Sequence, residues 1–527
     1  MEMNEANNLQ SIEQSQWHNQ TPIHKEENKF KPGMTDFIFA LVAFVLGYLF
    51  SRWVWFAWHG WGVTVFTTVY LLTTTLYLYK KAALKLSGAT IFWLAVTWLT
   101  GASYALWDNA GIAGYRSLFL FCFAVYYILV ASGCTILGRT SNYLLIDGLR
   151  SVIIIPFRNI FNQYVSFSAL AKGSRRGKIM PVLLGVIVSL ILASIIIPLL
   201  ETADAGGFGM VLNFIRPTFN IRFEQVLWII FAIPFAAYIY GLVSGTAHKK
   251  GTDAIKPESV ERTVATLRFL QSTTVYIVLG VVCAVYLLFI FSQLPYFFSA
   301  FTGVRPEGWR IYSEFARHGF FELCWIAAIN LSLLTASNLC SKKLRIQSRV
   351  LKIFNIALAV ITLVLIATAF SKMALYIGAY GLTMRRLLPC VFMIFLAIVF
   401  AALIALQKWQ FSIVRLSVSV GAIMLVIMCL SNPDAMVVRY NANRYLDGTL
   451  NRFDTTIAWR AGSAGVMAAI DVMNGSDDGV LRNELRHYIA SHSRPWGENH
   501  TISLERFRAR QAVIAGGFMP VAPTPQR

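Results

Sequence analysis

The chain has 527 residues, of which 56% are apolar or aromatic and only 14% are charged. A water-soluble protein of this length would carry about a quarter charged residues, so the composition excludes an ordinary soluble enzyme. The net charge is +20, which in a soluble protein would suggest nucleic acid. Here the basic residues are dispersed among short loops instead of gathered on one face, which argues against nucleic-acid binding.

The first 35 residues form a polar tail that carries Lys25, Lys29 and Lys31 next to the first apolar segment. This lead is long for a signal peptide, and no small-residue cleavage site follows the apolar run. We therefore predict that the first apolar helix is a retained membrane anchor.

Eleven segments are long and apolar enough to cross a bilayer, because a spanning helix needs about 20 mostly apolar residues and pairs its own backbone groups. The second is rich in threonine, and the second and third are the weakest of the set. The eleven segments are 36–56, 61–79, 88–106, 115–137, 179–200, 224–246, 272–294, 319–340, 351–371, 385–407 and 411–431. The predicted fold class is an all-α polytopic integral membrane helical bundle of about 11 transmembrane helices, with a small helical C-terminal extramembrane tail.

Loop charge predicts the orientation. With the N-terminus in the cytoplasm, the N-terminal tail and the cytoplasmic loops together carry 25 Lys and Arg, and the extracytoplasmic loops carry 10. Basic residues are enriched in cytoplasmic loops, so we expect a cytoplasmic N-terminus and an extracytoplasmic C-terminus.

The same pattern divides the chain into five parts. We predict a polar cytoplasmic tail, a four-helix N-terminal membrane part, cytoplasmic interfacial helices, a seven-helix membrane domain, and an extracytoplasmic helical tail with a disordered end. Their ranges are 1–35, 36–138, 139–178, 179–431 and 432–527. The last part should begin with a helix at Asn432-Pro433-Asp434, where Asn is a cap and Pro suits the first turn.

Sequence motifs assign no chemistry. The seven cysteines lie in or at the ends of apolar stretches without a CxxC pair, so we expect buried thiols and neither disulfides nor zinc. The sequence has no nucleotide-binding loop, GxSxG elbow, HExxH or EF-hand pattern. We therefore assign no catalytic residue, no metal and no cofactor.

One polar stretch leads into the eighth predicted span. Arg310, Glu314, His318 and Glu322 recur every four residues and share one face of a continuous helix, and Asn330 follows inside the span. Polar groups at membrane depth are costly, which suggests a functional role. The favoured interpretation is an interfacial helix with Arg–Glu pairs. The alternatives are a substrate or proton site and, less favoured, a divalent metal site.

A second polar stretch joins the ninth and tenth predicted spans. It holds Lys372, Tyr376, Tyr380, Arg385 and Arg386, and it lies on the predicted outer side against the charge rule. Three cations there suggest an anionic partner such as lipid phosphate, a glycan acid or the carboxylates of a neighbouring loop. Internal pairing with those carboxylates is the favoured interpretation.

Two further polar stretches follow the fifth and the last predicted spans, and simple membrane anchoring is an equally good interpretation of these. All four stretches fall on the same predicted side, so we predict one polar platform at the outer face. Its candidate residues are Asp204, Glu307, Arg310, Glu314, Arg317, His318, Glu322, Asn330, Lys372, Tyr376, Tyr380, Arg385, Arg386, Asp434, Arg439 and Asn441.

Three of these stretches carry a family resemblance. The run Ser313–Leu323, the pair Met373–Tyr376 and Tyr380–Thr383, and the run Asn432–Asn441 resemble motifs of bacterial polytopic membrane proteins. These are the domain-of-unknown-function family 4173 and its relative, family 4153. The resemblance covers about residues 195–450 and implies a bacterial integral membrane protein, without implying an activity. The family pattern often has Arg where this chain has His318, which weakens His318 as a metal ligand.

The sequence therefore favours a membrane scaffold, sensor or regulatory subunit with an extracytoplasmic polar platform. The alternatives are a transporter of a small solute and a membrane-bound enzyme that acts on a lipid-linked substrate at the outer face. The expected partners are the lipid bilayer and a membrane or extracytoplasmic protein, and the expected location is the bacterial inner membrane.

Overall fold

The computed structural model describes residues 30–169, 223–250, 266–302, 312–341, 348–492 and 501–518, with isolated positions between 185 and 200. Regular structure in these ranges is helical, and strand-like pairing in them is limited to one bridge between Leu270 and Ser341. The predicted all-α fold class is confirmed. All seven cysteines are described as free thiols; Cys134, Cys283 and Cys429 are buried, as predicted, and the other four are only partly buried.

The membrane part consists of long apolar helices with three short ones inserted. The first four are α1 (Met34–Leu49, extended by a π-helical turn at Phe50–Trp55), α2 (Trp61–Lys80), α3 (Gly88–Leu106) and α4 (Ala113–Ala131). The short ones are α5 (Leu144–Leu149), α6 (Ile155–Arg158) and α7 (Asn162–Ala169). The others are α8 (Phe223–Ala247), α9 (Ser272–Thr302), α10 (Tyr312–Cys340), α11 (Arg349–Tyr380), α12 (Met384–Ala405) and α13 (Ile413–Leu430).

Ten helices of the described ranges are long and apolar enough to cross a membrane. They overlap ten of the eleven predicted segments, with most ends within a few residues, although the predicted 351–371 segment continues as a helix to Tyr380 and the predicted 115–137 segment ends at Ala131. The prediction for 179–200 lies outside the described residues, apart from isolated positions. The polytopic helical bundle is thus confirmed on the part of the chain that the structure describes.

The threonine-rich second span is a complete helix, and five of its six threonine hydroxyls are paired within it. Thr67, Thr73 and Thr74 each donate to the carbonyl four residues earlier, at 2.6–2.8 Å. A hydroxyl satisfied in this way does not have to be hydrated, so threonine is tolerated at membrane depth.

Two membrane bundles lie side by side, each with its own apolar core. Helices α1–α4, α8 and part of α13 surround the first core, and helices α9–α12 surround the second. Helix α13 packs against α3 and α12, so it links the two bundles.

Five further helices follow α13 and form a separate apolar core. They are α14 (Pro433–Leu446), α15 (Thr455–Ala461), α16 (Val466–Gly475), α17 (Gly479–Ser491) and α18 (Leu504–Ala515). Asn432 has a left-handed backbone (φ 52°), and its side chain accepts from the Ala435 N–H, with Pro433 in the first turn. The predicted start of this helix is confirmed. We call residues 432–518, within the described ranges, the cap.

Contacts between loops distinguish two faces of the membrane part. On the cap face, Trp61 donates its backbone N–H to Ile502 of the cap at 3.3 Å. On the opposite face, the Ser412 hydroxyl donates to Asn142 at 2.7 Å, and the Lys85 N–H donates to the Ala131 carbonyl at 2.7 Å.

The buried carboxylate of Asp36 joins three helix ends on the opposite face. It accepts hydrogen bonds from the Tyr77 hydroxyl (2.6 Å), the Lys81 ammonium (2.6 Å) and the Gly33 N–H (2.8 Å), and His248 Nε2 lies 3.0 Å away. Because these partners lie at the ends of different helices, the cluster joins α1, α2 and α8.

Candidate interface between the cap and the membrane helices

The cap meets the membrane part at Asp108, in the short loop between α3 and α4. One carboxylate oxygen accepts from the Ser503 hydroxyl at 2.8 Å, and the other accepts from the Ser463 hydroxyl at 2.8 Å. Arg506 pairs with the same carboxylate, with Nε 2.5 Å from Oδ2. Asp108 is buried, so three cap residues satisfy a carboxylate that belongs to the membrane part.

A second buried carboxylate, Glu505, belongs to the cap and bonds to the membrane part. It accepts from the Asp108 backbone N–H at 3.0 Å and from the side-chain amide of Asn432 at 2.5 Å. Burial raises the pKa of Glu505 to about 7, and the neighbouring charges of Asp108 and Asp434 act in the same direction. Glu505 therefore changes its charge near neutral pH.

The third carboxylate is Asp434, in the first turn of α14. It accepts from the Gly111 N–H at 2.9 Å, and burial raises its pKa. A Cβ atom on Gly111 would lie 2.6 Å from a carboxylate oxygen of Asp434. Only glycine therefore lets the loop and the carboxylate approach this closely.

The fully buried guanidinium of Arg116 holds the loop between α3 and α4 in place. Arg116 of α4 donates to the carbonyls of Trp107 (2.9 Å) and Asp108 (2.6 Å), and it lies 3.6 Å from the centre of the Tyr104 ring. It also acts electrostatically on Asp434. These contacts hold the loop in the shape that presents the Asp108 carboxylate to the cap.

The same loop is bonded to the end of α13. Asn109, which has a left-handed backbone (φ 49°), donates its amide to the Cys429 carbonyl at 2.7 Å. The Trp107 indole donates to the Leu430 carbonyl at 2.9 Å. The loop, the end of α13 and the cap are thus one polar structure. We call it the cap joint, and it consists of Asp108, Asn109, Arg116, Asn432, Asp434, Ser463, Ser503, Glu505 and Arg506.

Several predicted platform residues meet at a second contact with the cap, the turn between α11 and α12. Asn441 of α14 accepts from the Leu382 N–H at 2.8 Å and donates to the Leu382 carbonyl at 2.6 Å. Arg386 lies 4.0 Å from the Tyr376 ring centre and donates to the Tyr380 carbonyl at 2.9 Å. In these contacts Arg386 is bound to an aromatic ring and a carbonyl.

Other predicted residues lie apart from this turn. Glu322 is exposed and is close enough to Lys372 to act on it electrostatically, while Arg385 and Arg439 are exposed. Asn330 is fully buried inside the second bundle, about 12 Å along α10 from Glu322. It accepts from the Tyr286 hydroxyl and donates to Thr362, each at 2.9 Å, so in this structure it bonds three helices together.

The rest of the predicted platform is not described in detail. Asp204, Glu307 and Arg310 lie outside the described residues. Glu314, Arg317 and His318 fall on the first turns of α10, which continues through Gly319 without a break.

Sequence reasoning missed most of the cap joint. Asp434 was a predicted site residue, whereas Asp108, Arg116, Glu505 and Arg506 were not. A charge directly after a span, as in Trp107-Asp108-Asn109, was a signal that could have marked the loop. No sequence pattern shows that the partners of Asp108 lie about four hundred residues further along the chain.

The comparisons with known proteins give one result. The family model for the domain of unknown function DUF4153 matches residues 94–463, well over half of the chain. The matched range contains Asp108, Arg116 and Asp434 and ends at Ser463, so Glu505 and Arg506 lie beyond it. A search of curated proteins and a search of solved structures each returned no match.

Proposed function

We propose a function from the geometry, since this chain belongs to the family DUF4153, which is described only as a domain of unknown function. The proposal is a membrane scaffold or regulatory subunit that holds its cap rigidly on the membrane surface and presents it to a protein partner. The chain is an integral membrane protein, and its ten described spans form the base for the cap.

The cap joint carries this proposal. Its three carboxylates and the Arg116 guanidinium are buried, the Arg506 guanidinium is partly buried, and all five are bonded to one another, to hydroxyls or to backbone groups. Such a filled polar contact fixes one part of a protein against another and leaves no room for a substrate. The cap surface, in contrast, exposes large apolar side chains, namely Trp459 (45% exposed), Met467 (58%) and Val480 (72%). Exposed aromatic and methionine residues are typical of protein interfaces.

The loop charges support an extracytoplasmic cap, and the family resemblance is the basis for proposing a bacterial inner membrane. The chain reaches the opposite face at Ala131, and Arg52 at the cap-face end of α1 lies 4.9 Å from the ring of Trp228 near the start of α8. A change of face between α4 and α8 supports the predicted eleventh crossing. With that crossing the two termini lie on opposite sides, as the bias of basic residues requires.

The transporter alternative has less support. The second bundle contains polar residues at two depths, one around Asn330 and one around Asn338, Asn355 and Gln407. About 12 Å of α10 separates Asn330 from Asn338, and hydrogen bonds between helices account for both groups. The enzyme alternative requires an accessible acid or base, and in the cap joint the carboxylates are buried.

The test is site-specific photocrosslinking in native membranes. A photoreactive residue at Trp459 should give an adduct of one discrete mass, and the same residue at the exposed span position Val281 should give none. Arg506→Ala should abolish the Trp459 adduct without lowering the amount of protein, because it loosens the cap. Solute uptake by reconstituted vesicles, or turnover of a lipid-linked substrate, would overturn the proposal, as would the absence of any Trp459 adduct.

A further inference from the structure

The first membrane bundle contains a large apolar cavity among α1, α2, α4, α6 and α8. Its volume is about 540 Å³, which is within the range of small-molecule sites. It extends from Trp58, next to the cap face, to Leu242 in α8. Along α4 the lining runs from Ser117 to Val125, about 12 Å around the middle of that helix, and in α8 it ends about 8 Å before Ala247, so the cavity extends from the cap-face side past the middle of the membrane.

The side-chain hydroxyls of the lining are already bonded within the protein. The Tyr70 hydroxyl donates to the Ala124 carbonyl, the Tyr238 hydroxyl donates to Val152, and Thr67 donates to Val63. A hydrated or polar solute would find almost no partner here and would lose its own water, which is costly. The cavity therefore suits an occupant that makes no hydrogen bonds.

Packed aromatic rings hold the walls in place. The Phe235 ring centre lies 4.5 Å from that of Phe50 and 5.3 Å from that of Trp55, and Phe157 packs edge-on against Tyr238 at 6.0 Å. Rings in edge-to-face or tilted packing resist collapse of the space between the helices. The cavity is thus preformed.

The rim opens sideways toward lipid. Trp55, Leu118 and Phe157 line the cavity and are 48%, 58% and 59% exposed, whereas Phe66 on the inner wall is only 8% exposed. In a spanning segment such exposed apolar residues contact the acyl chains of the bilayer. Arg52 is on the same π-helical turn as Trp55, at the cap-face end of the first span, and basic residues at span ends commonly contact lipid phosphates.

We infer that this cavity binds one acyl chain of a phospholipid from the leaflet on the cap face, with the phosphate near Arg52. The apolar lining, the lateral opening and the cation at the outer end each match one part of such a molecule. The inference is independent of the proposed role of the cap, because none of the cap-joint residues lines the cavity.

The experiment uses the full chain in vesicles of phosphatidylethanolamine and phosphatidylglycerol, with a trace of phospholipid that carries a photoreactive diazirine within one acyl chain. After illumination, mass spectrometry should find the label on Phe66, which bulk lipid does not reach, and also on the exposed residue Ile91. Ala124→Phe, which fills the cavity, should lower labelling of Phe66 at least tenfold. Ala328→Phe adds the same side chain at an exposed position of α10 and should change nothing.

Two competition arms separate the possible occupants. Added unlabelled phospholipid should reduce the label on Phe66 in proportion to the mole fraction of the added lipid. The label on Ile91 reports contact with bulk lipid and serves as the reference. An isoprenoid phosphate that removes the Phe66 label at a tenfold lower mole fraction would overturn the choice of phospholipid. Absence of label on Phe66 in the wild-type protein would overturn the site itself. This readout does not depend on whether Ala124→Phe folds.

Discussion

Raising the pH should loosen the cap through one side chain, Glu505. Its carboxyl is buried in the cap joint with a pKa of about 7, against an ordinary value of 4.5. Because the folded-state pKa is raised, the folded cap binds this proton more tightly than the unfolded cap does. The stabilisation is fully present below pH 4.5 and is lost as the pH rises through about 7.

The size of the effect follows from the two pKa values. The difference between 4.5 and about 7 corresponds to roughly 3 kcal/mol between the protonated and ionised forms. This energy is comparable to a large part of the stability of a small domain, so it should be visible in local opening of the cap. The opening equilibrium of α18 should change by about two orders of magnitude across the window.

Hydrogen–deuterium exchange of α18 measures this opening, after correction for the intrinsic pH dependence of exchange. Protection in the wild-type protein should fall between pH 4.5 and 7 and then level off. Glu505→Gln cannot ionise, so its protection should lack this fall and should exceed that of the wild type above pH 7. Glu484→Gln, on the exposed side of the cap, is the matched control and should follow the wild type.

Subtracting the two pH profiles isolates Glu505, since Asp434 also has a raised pKa and titrates in both proteins. Identical profiles for the wild type and Glu505→Gln would refute the reasoning. So would a rise in wild-type protection with pH, because that would mean the joint favours the ionised carboxylate.

Three further outcomes check other parts of the molecule. A reporter active only in the cytoplasm should be silent after Arg527 and strong within 247–271; the reverse would contradict the predicted orientation. Asn330→Leu should lower the free energy of unfolding by roughly 1–3 kcal/mol, because the buried Thr362 and the partly buried Tyr286 each lose a hydrogen bond; unchanged thermal unfolding in detergent would argue against this role. Asp36→Ala should destabilise the chain by on the order of 3 kcal/mol, because it strands Lys81 at a partly buried position. Lys81→Gln keeps a donor near the carboxylate, and an equal loss for both variants would contradict this account.

Local patterns predicted the helices well. Ten predicted spans coincide with described helices because the length of an apolar run and its lack of charge are properties of the segment itself. The Asn432-Pro433 helix start was predictable for the same reason, since a cap and its first turn are adjacent in the chain. Even the threonine-rich α2 obeys local chemistry, because all of its threonine hydroxyls except that of Thr64 bond within the same helix.

The candidate interface was predicted only in part. Asp434 and Asn441 were predicted from their positions next to a span, and both contact the cap-face loops. Asn330 was predicted to lie inside the eighth span and was counted with the platform; the structure places it inside the second bundle, bonded to Tyr286 and Thr362. A helical period shows which residues share a face, whereas it does not show which helix that face meets.

By itself, the sequence determined that this protein is a bundle of membrane-spanning helices, since hydrophobic length and charge are read one segment at a time. The sequence also determined that a helical cap follows the last span. Only the tertiary structure decided that Asp108 pairs with Arg506 and that Glu505 reaches back to the same loop. It also decided that five helices leave an apolar cavity between them. These features depend on how distant segments pack, and packing is set by shape and pairing across the whole fold.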